Sequence, residues 1–522
     1  MKALKQFLSM FMIATAALVL VNCGDDEEPE TLPPVLNLSS GTSANVERGQ
    51  STTISLSLTA QAGIKSLTVN GAPVTGVTAG ATTQTIDYQY SVAAGAAFGP
   101  VPLEFVLTDN KDRNTSATFT VTVIGSTINL SSLATNGIIS STVTLEKQNT
   151  YYLDRRITVQ DGGILNINAG TTIYAKTTGL PAGETLARLL IEPTGKINAT
   201  GSASEPIVFT SEKVLTNTAA PGDWEGLRVN GSAGTNQGTM RYVRIEFGGI
   251  GGPSGTSAGQ EAAVRLNGVT SFVFEFIQVY RSAYEGILYR SGSTFHLKNI
   301  IATNCESRGF HFRDNTSQGT GQFLIVQPRN LVNLSAAETG EGSAIDIRQS
   351  TNVKLANLTV LGPGRVVASS TMDGIRVWSD VANGSAQIFN SLVAFFPDDG
   401  VRIDPSAATA IDGDNNPVFS ATPMFAYNHV FQIGDEMLRG NANAQVFATI
   451  AGFGNTFTQD ATPAAAAGIS VDSYVPTAVI TSTNNPSSLG APFTSAAYVG
   501  AIGATDWTAG GWSRNPNGSI RP

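Results

Sequence analysis

"STMDGIRVWS" (370–379) and "FPDDGVRIDP" (396–405) are one pattern written twice, with aspartate ahead of Gly-Ile/Val-Arg-Val/Ile and the two glycines 26 residues apart. The four-letter signature recurs upstream as "GLRV" at 226, "AVRL" at 263, "GILY" at 286, "GFHF" at 309 and "AIDI" at 344. Its tightest intervals, 263 to 286 and 286 to 309, are 23 residues. Earlier still, "LNINAGTTIYA" (165–175) and "LLIEPTGKINA" (189–199) align Leu165 with Leu189, Ile167 with Ile191, Ile173 with Ile197 and Ala175 with Ala199. Longer intervals coincide with insertions such as "GGIGGPSGTSAGQ" (248–260). One supersecondary unit every 23–26 residues, with extra residues confined to certain turns, is the mark of a solenoid. The unit is strand-rich, too short for a helical pair, and without a leucine-asparagine consensus. A parallel β-helix remains, each coil made of short strands joined by turns.

In such a stack, equivalent letters become neighbours about 4.8 Å apart. The apolar positions Ile375, Val377, Val401 and Ile403 are expected inside, and the residue between them outside. That outer column reads Arg228, Arg265, Leu288, His311, Asp346, Arg376, Arg402; the column before the glycine reads Glu225, Ala262, Glu285, Arg308, Ser343, Asp373, Asp399. The aspartates admit two readings. As turn residues, Asp accepts local backbone hydrogen bonds and Gly tolerates positive φ. As a catalytic set, one carboxylic acid protonates a leaving oxygen while another activates water. The turn reading is preferred, because neighbouring arginines neutralise the acids and a direct stack is shorter than the roughly 6.5–9.5 Å that inversion wants. Asn299, Asn357 and Asn390 take equivalent places, expected as a hydrogen-bonded ladder at one turn.

Composition agrees with an all-β protein: 14% charged residues, 54 glycines and no long stretch of helical periodicity. A net charge of −9 excludes a nucleic-acid partner, which needs a basic face. The three histidines lack metal spacing and there is no thiol pair for zinc. No cofactor is expected; calcium is the one ion for which Asp109, Asn110 and Asp112 offer ligands, and an Asx cluster at a β-turn reads first as turn chemistry. Residues 34–124 alternate with period two in "TTISLSLTA" (52–60), "IKSLTVNG" (64–71) and "PLEFVLTDN" (102–110), which predicts a small β-sandwich. At the start, Lys2 and Lys5 precede an apolar run from Phe7 to Val21, too short for the roughly 20 residues of a membrane span. Residues 1–22 read as a secretory signal, and 23–33, with "GDDEEPE", as a solvated tether.

Several of these stretches resemble known families. "LVNCG" (20–24) resembles a bacterial lipoprotein signal, which implies that Cys23 carries lipid and ties the chain to a membrane; Asn22 departs from the usual small residue there. The acidic run resembles the export signal of Bacteroidota lipoproteins shown on the outer face of the outer membrane. "FVLTDNKDRNTSATFTVTV" (105–123) resembles the final hairpin of immunoglobulin-like or cadherin-like modules. "STFHLKNIIATNCESRGFHF" (293–312) resembles the right-handed pectate-lyase-like β-helix repeat, expected over 125–495. "YVGAIGATDWTAGGWSRNP" (498–516) resembles the closing segment of Bacteroidota β-helix lipoproteins, so 496–522 is expected to cap the helix end with Trp507 and Trp512.

Polysaccharide hydrolases of this fold carry Asn-Thr-Asp-Gly in one coil and Asp-Asp in the next. "STMDG" then "FPDDG" resembles that arrangement and places Asp373, Asp398 and Asp399 at its acid positions. The hydrolases' later Gly-His-Gly and Arg-Ile-Lys are missing, and His429 stands alone in "YNHVF" (427–431). A lyase would instead use Arg376 or Arg402 as base with Asp-bound calcium. The expectation is therefore a surface-displayed, non-catalytic rod for adhesion or glycan recognition. Its binding strip would be Arg376, Arg402 and Trp378 with the loops 251–262 and 313–342, and its partners extracellular polysaccharide or surface proteins. The alternatives are a polysaccharide hydrolase or lyase using Asp373, Asp398, Asp399 and Arg402, and a purely architectural surface component.

Overall fold

The computed structural model describes residues 30–251, 259–291, 294, 296–314, 319–328, 342–348, 352–366, 372–378, 386–404, 425–440, 453–459 and 461–522. Cys23, the signal segment and most of the tether lie outside these, as do large parts of the loops 251–262 and 313–342. Contacts divide the chain after Ile124 into two units.

In the first unit, alternation along Ser51–Thr59 buries Ile54, Leu56 and Leu58 to 1% exposure or less and turns the serines between them outward. That strand is the middle of an antiparallel three-stranded sheet with Val35–Leu38 and Thr83–Ser91. A second sheet joins Ser43–Glu47, Asn114–Ile124, Gly99–Asp109, Ile64–Val69 and Ala72–Pro73. The inner faces share one core. Asp109 is a turn residue here: it is fully buried and accepts from the Lys111 and Arg113 amides at 3.0 Å and from Arg113 Nε at 2.9 Å.

The second unit is a stack of parallel coils. Each coil contributes one short strand to an all-parallel sheet that numbers eleven strands among the described residues. The rest of the coil runs through a second parallel sheet that turns a corner. From Gly238–Glu246 to Val353–Leu361 the two arms on that sheet merge into single strands of eight or nine residues, such as Phe272–Tyr280, and beyond them they part again, as in Ala386–Phe389 and Leu392–Ala394. The bend in each is one residue with left-handed backbone: Tyr242, Phe276, Asn299, Phe323, Asn357, Asn390 and Tyr427, with φ between 50° and 61°. The predicted asparagine ladder is therefore a mixed file. Asn357 and Asn390 are neighbours, but aromatic residues flank Asn299. Asparagine tolerates this conformation; an aromatic there is a strain the surrounding coils must hold.

The signature register is as the sequence indicates. Ile287 pairs with Phe310, Phe310 with Ile345, Ile345 with Ile375, and Ile375 with Val401, which puts Gly286, Gly309, Gly374 and Gly400 in one file with Ala344 between. None of these four glycines has positive φ, which corrects the Asp-Gly turn reading. They are glycines because coils approach closely: a Cβ on Gly374 would lie 2.4 Å from the Gly400 carbonyl oxygen, and one on Gly400 2.8 Å from that of Met437. The apolar positions fill one continuous core from Leu130 to Ile433.

Parallel pairing ends at Thr456–Thr458. The C-terminal segment beyond it is neither further coil nor end cap. Ile480–Thr481 of "TAVITST" pairs antiparallel with Tyr498–Val499, and the segment returns along the outside of the corner sheet as a strap. Its apolar residues Ile480, Val499, Ile502 and Trp512 pack on Ile301, Ile325, Leu361 and Leu392. Side-chain amides of the coils hold its backbone: Gln278 bonds Arg514 N and O at 2.7 and 2.9 Å, Gln322 bonds Thr494 N and O at 2.9 Å, Asn357 donates to Tyr498 O at 2.6 Å, and Asn390 to Asn484 O at 2.9 Å. Trp512 is fully buried edge-on against Tyr242 and Phe276, on the flank of the stack. The aromatic rings thus cover a side, because the file of bend residues offers them partners there.

Removing that ring tests the arrangement. Trp512→Ala is expected to lower the stability of the β-helix unit by about 3–5 kcal/mol, read as a shift of its urea transition with the first unit's transition unmoved.

Candidate functional site

The aspartates stand at the corner where the chain passes from the bent sheet into the short strands Asp373–Val377 and Val401–Ile403. Asp373 opens the first strand, and Asp399 lies before Gly400 one coil on. Oxygens of Asp373, Asp398 and Asp399 all lie within 4.8 Å of one another. Asp373 is 2% exposed and Asp399 is fully buried, whereas the Asp398 side chain keeps 21% of its surface. The aspartates bond across coils rather than within a turn: Asp373 Oδ1 accepts from Asp399 N at 3.3 Å, and Asp399 Oδ1 from Glu436 N at 3.4 Å.

Burial, together with the charges of Asp399 and Asp398, pushes the Asp373 carboxyl up to about 8 against the pull of Arg402. Burial and Asp398 raise Asp399 to about 6, opposed by Arg439. Like charges stacked in a low-polarity corner cannot all ionise, so Asp373 keeps its proton at neutral pH.

The outer column is confirmed in register, with Asp346 beside Arg376, Arg376 beside Arg402, and Arg402 beside Arg439. It is not the open strip expected. Asp346 is fully buried, His311 is 3% exposed and Arg376 5%. His311, expected at the surface, has its Nδ1 2.7 Å from Glu285. Asp346 accepts from Arg308 Nε, from Arg348 Nε at 3.0 Å and from the Trp378 indole N–H. The Trp378 ring lies 3.4 Å from the guanidinium carbon of Arg376 and 3.6 Å from that of Arg348. Two cations that close to one centroid occupy opposite faces, so this indole is no vacant platform for a sugar ring. Asp404 is 3.4 Å from Arg376 and 3.5 Å from Arg402. The structure thus separates an acid corner of Asp373, Asp398 and Asp399 from a closed network holding Arg376 and Trp378, with Arg402 between them, sharing Asp404 with Arg376 and pulling on Asp373 by its charge.

One residue escaped the sequence reading. Arg439 extends the outer column by a coil and places Nε 2.6 Å from Asp399 Oδ2. In "DEMLRG" (435–440) Met437 stands where earlier coils have glycine, and 37 residues separate Val401 from its partner Leu438, so the signature is hidden. Cys305 is buried with its thiol pushed up to about 12 by desolvation, a core residue without reactivity.

The family model described as "Pectate-lyase like beta helix domain" matches residues 137–239 and 234–449. Among solved structures, the "Structure of Yersinia enterocolitica Family 28 Exopolygalacturonase" is similar to this chain at 11% identity. That alignment covers 82% of this chain and 87% of the other, with a TM-score of 0.25. No curated protein matches.

The raised carboxyls have a measurable sign. Between an unfolded value near 3.9 and a folded value of about 8, the folded state holds a proton on Asp373 that the unfolded chain has lost. Its stabilising contribution is complete below about pH 4 and disappears as pH rises through 8. Asp373→Asn removes this dependence, so its urea midpoint should gain on the wild type steadily from pH 5 to 8.5. A constant difference across that range would contradict the assignment.

Proposed function

The chain belongs to the pectate-lyase-like β-helix family, and on that premise we propose that it is a polysaccharide hydrolase working at the Asp373–Asp398–Asp399 corner. One observation carries the reading: three carboxyl groups from adjacent coils converge within 4.8 Å while burial keeps one of them protonated. Asp373 is the general acid that donates to the departing glycosidic oxygen. Arg402, which already pulls its carboxyl down, stabilises the carboxylate left behind. Asp398, the acid with the most solvent contact, faces the anomeric carbon; spacing this short favours its bonding to that carbon as the glycosidic C–O bond breaks, after which water, giving its proton to Asp373, displaces it and frees the sugar. Asp399, tied to Arg439, holds the corner's charge in place.

A second reading, retention of a polysaccharide without cleavage, is favoured by the Arg439–Asp399 pair at 2.6 Å, which commits one of the three acids to a guanidinium. The address belongs to the proposal as well. "LVNCG" and the acidic run support lipid attachment at Cys23 and display on the outer membrane, with the first unit as an immunoglobulin- or cadherin-like spacer.

Incubating the purified protein with a panel of acidic and neutral polysaccharides, with and without calcium, separates the readings. Hydrolysis gives new reducing ends without unsaturated ones, and Asp373→Asn lowers the rate at least about 100-fold while the chain still melts cooperatively. Binding with no new ends would establish retention instead; unsaturated ends would establish a lyase. Separately, Cys23→Ala is expected to move the protein from the membrane fraction to the soluble one in a cell that processes lipoproteins.

A further inference from the structure

A cavity of about 540 Å³ opens at a different corner of the coils, where the short strands hand over to the bent sheet. It lies at the starts of Phe272–Tyr280, His296–Thr303, Gly319–Gln327 and Val353–Leu361, and the strap forms its far wall with Leu489 and Ala491–Phe493. The aspartates precede the short strands; this cavity comes after them. The two sites share no residue.

The register explains its floor. His296 pairs with Thr320 and Thr320 with Lys354, so the three side chains stand in one file on consecutive coils, about 10 Å from end to end. His296 Nδ1 and Thr320 Oγ1 are 2.8 Å apart, which fixes the imidazole. Asn352 adds an amide, and Phe272 and Phe493 supply aromatic surface. Phe493 is fixed in turn: it is 7% exposed, packed with Ala356, Phe389 and Ala426, and the next residue, Thr494, is bonded to Gln322 through N, O and Oγ1.

Among the described residues, the lining contains a lysine and no aspartate or glutamate. An apolar ligand would cover the Lys354 ammonium without offering it a partner, at a cost of a few kcal/mol. A neutral sugar would satisfy the hydroxyl and amide groups but leave the ammonium group partly desolvated and unpaired. A hydroxylated carboxylic acid meets each demand: carboxylate on Lys354, hydroxyls on Thr320, Asn352 and His296, and the apolar face of a pyranose against Phe272 or Phe493. The volume falls within the few hundred to a thousand Å³ of ordinary small-molecule sites.

We propose that this cavity is a binding site for a sugar acid, a uronate unit, independent of the aspartate corner. It would hold an acidic polymer, or its released unit, at a second point on the β-helix whether or not the aspartates cleave anything.

The probe is glucuronate, with glucose as the neutral control, titrated into the full chain and followed by calorimetry or ligand-observed NMR. Saturable glucuronate binding, weaker binding of glucose, and a loss of about tenfold in Lys354→Gln at unchanged melting temperature are the expected results. Asn352→Ala, at an exposed position, should weaken binding in the same direction if Lys354→Gln folds poorly. Absence of saturable binding, equal affinity for glucose, or full affinity in both variants would overturn the proposal. So would loss of glucuronate binding in Asp373→Asn, which would place the ligand at the aspartate corner; loss of hydrolysis alone in that variant would leave the cavity standing.

Discussion

The main-chain ladder between coils is the constraint on which the rest of the β-helix depends. Because each strand pairs in parallel with the equivalent strand one coil on, every column repeats one chemical problem at about 4.8 Å. Apolar columns solve it by packing. The glycine column solves it by omitting a Cβ where a carbonyl of the next coil comes within 2.4–2.8 Å. Charged columns have no such easy solution. Two unit charges at that spacing repel by about 3.5 kcal/mol at an effective dielectric of 20, more than a surface ion pair usually returns.

The protein resolves this in two ways on adjacent columns. Along Arg376, Arg402 and Arg439 it interleaves counter-ions, with Asp404 between the first two and Asp399 against the third. Along Asp373 and Asp399 it takes up a proton, since burial and the neighbouring Asp398 leave ionisation less favourable than neutrality. A guanidinium cannot be discharged at accessible pH, whereas a carboxylate can. A stack of acids is therefore the column that can store an exchangeable proton near pH 7, and that property makes the corner chemically interesting.

Much of this is legible in the letters. The period, the inward and outward alternation, and the register of Arg228 through Arg402 all come from the repeated signature, because register in a solenoid is set by local repetition. The convergence of Asp373, Asp398 and Asp399 is legible for the same reason. The packing above a column is not. Direction says that Arg376 and His311 leave the core, but their long or flat side chains fold over one another and bury themselves on the surface of the sheet. Arg439 is hidden because its coil has Met437 in the glycine place and comes after a long insertion. The strap is hidden because it has no period: of its partners, Gln278 and Gln322 look like ordinary polar residues and Asn357 and Asn390 like members of a turn ladder, until their amides are seen holding another segment's backbone.

That strap divides the surface of the stack. An exposed parallel sheet flank with apolar outward residues such as Ile301, Ile325 and Leu361 invites association; here a segment of the same chain occupies it, so the flank is satisfied in cis. The coil amides that bind Thr494 and Tyr498 show that this flank recognises an extended chain through its backbone. The eleven-stranded side is built otherwise: the charged side chains of its Asp346, Arg376 and Arg402 column are braced against each other rather than against the strap. The cavity walled by Phe493 sits where strap and coils meet, whereas the partners of Asp373, Asp398 and Asp399 come from the coils alone. The demand of that apolar flank for cover, rather than the chemistry of the charged columns, decides which side of the stack the strap takes.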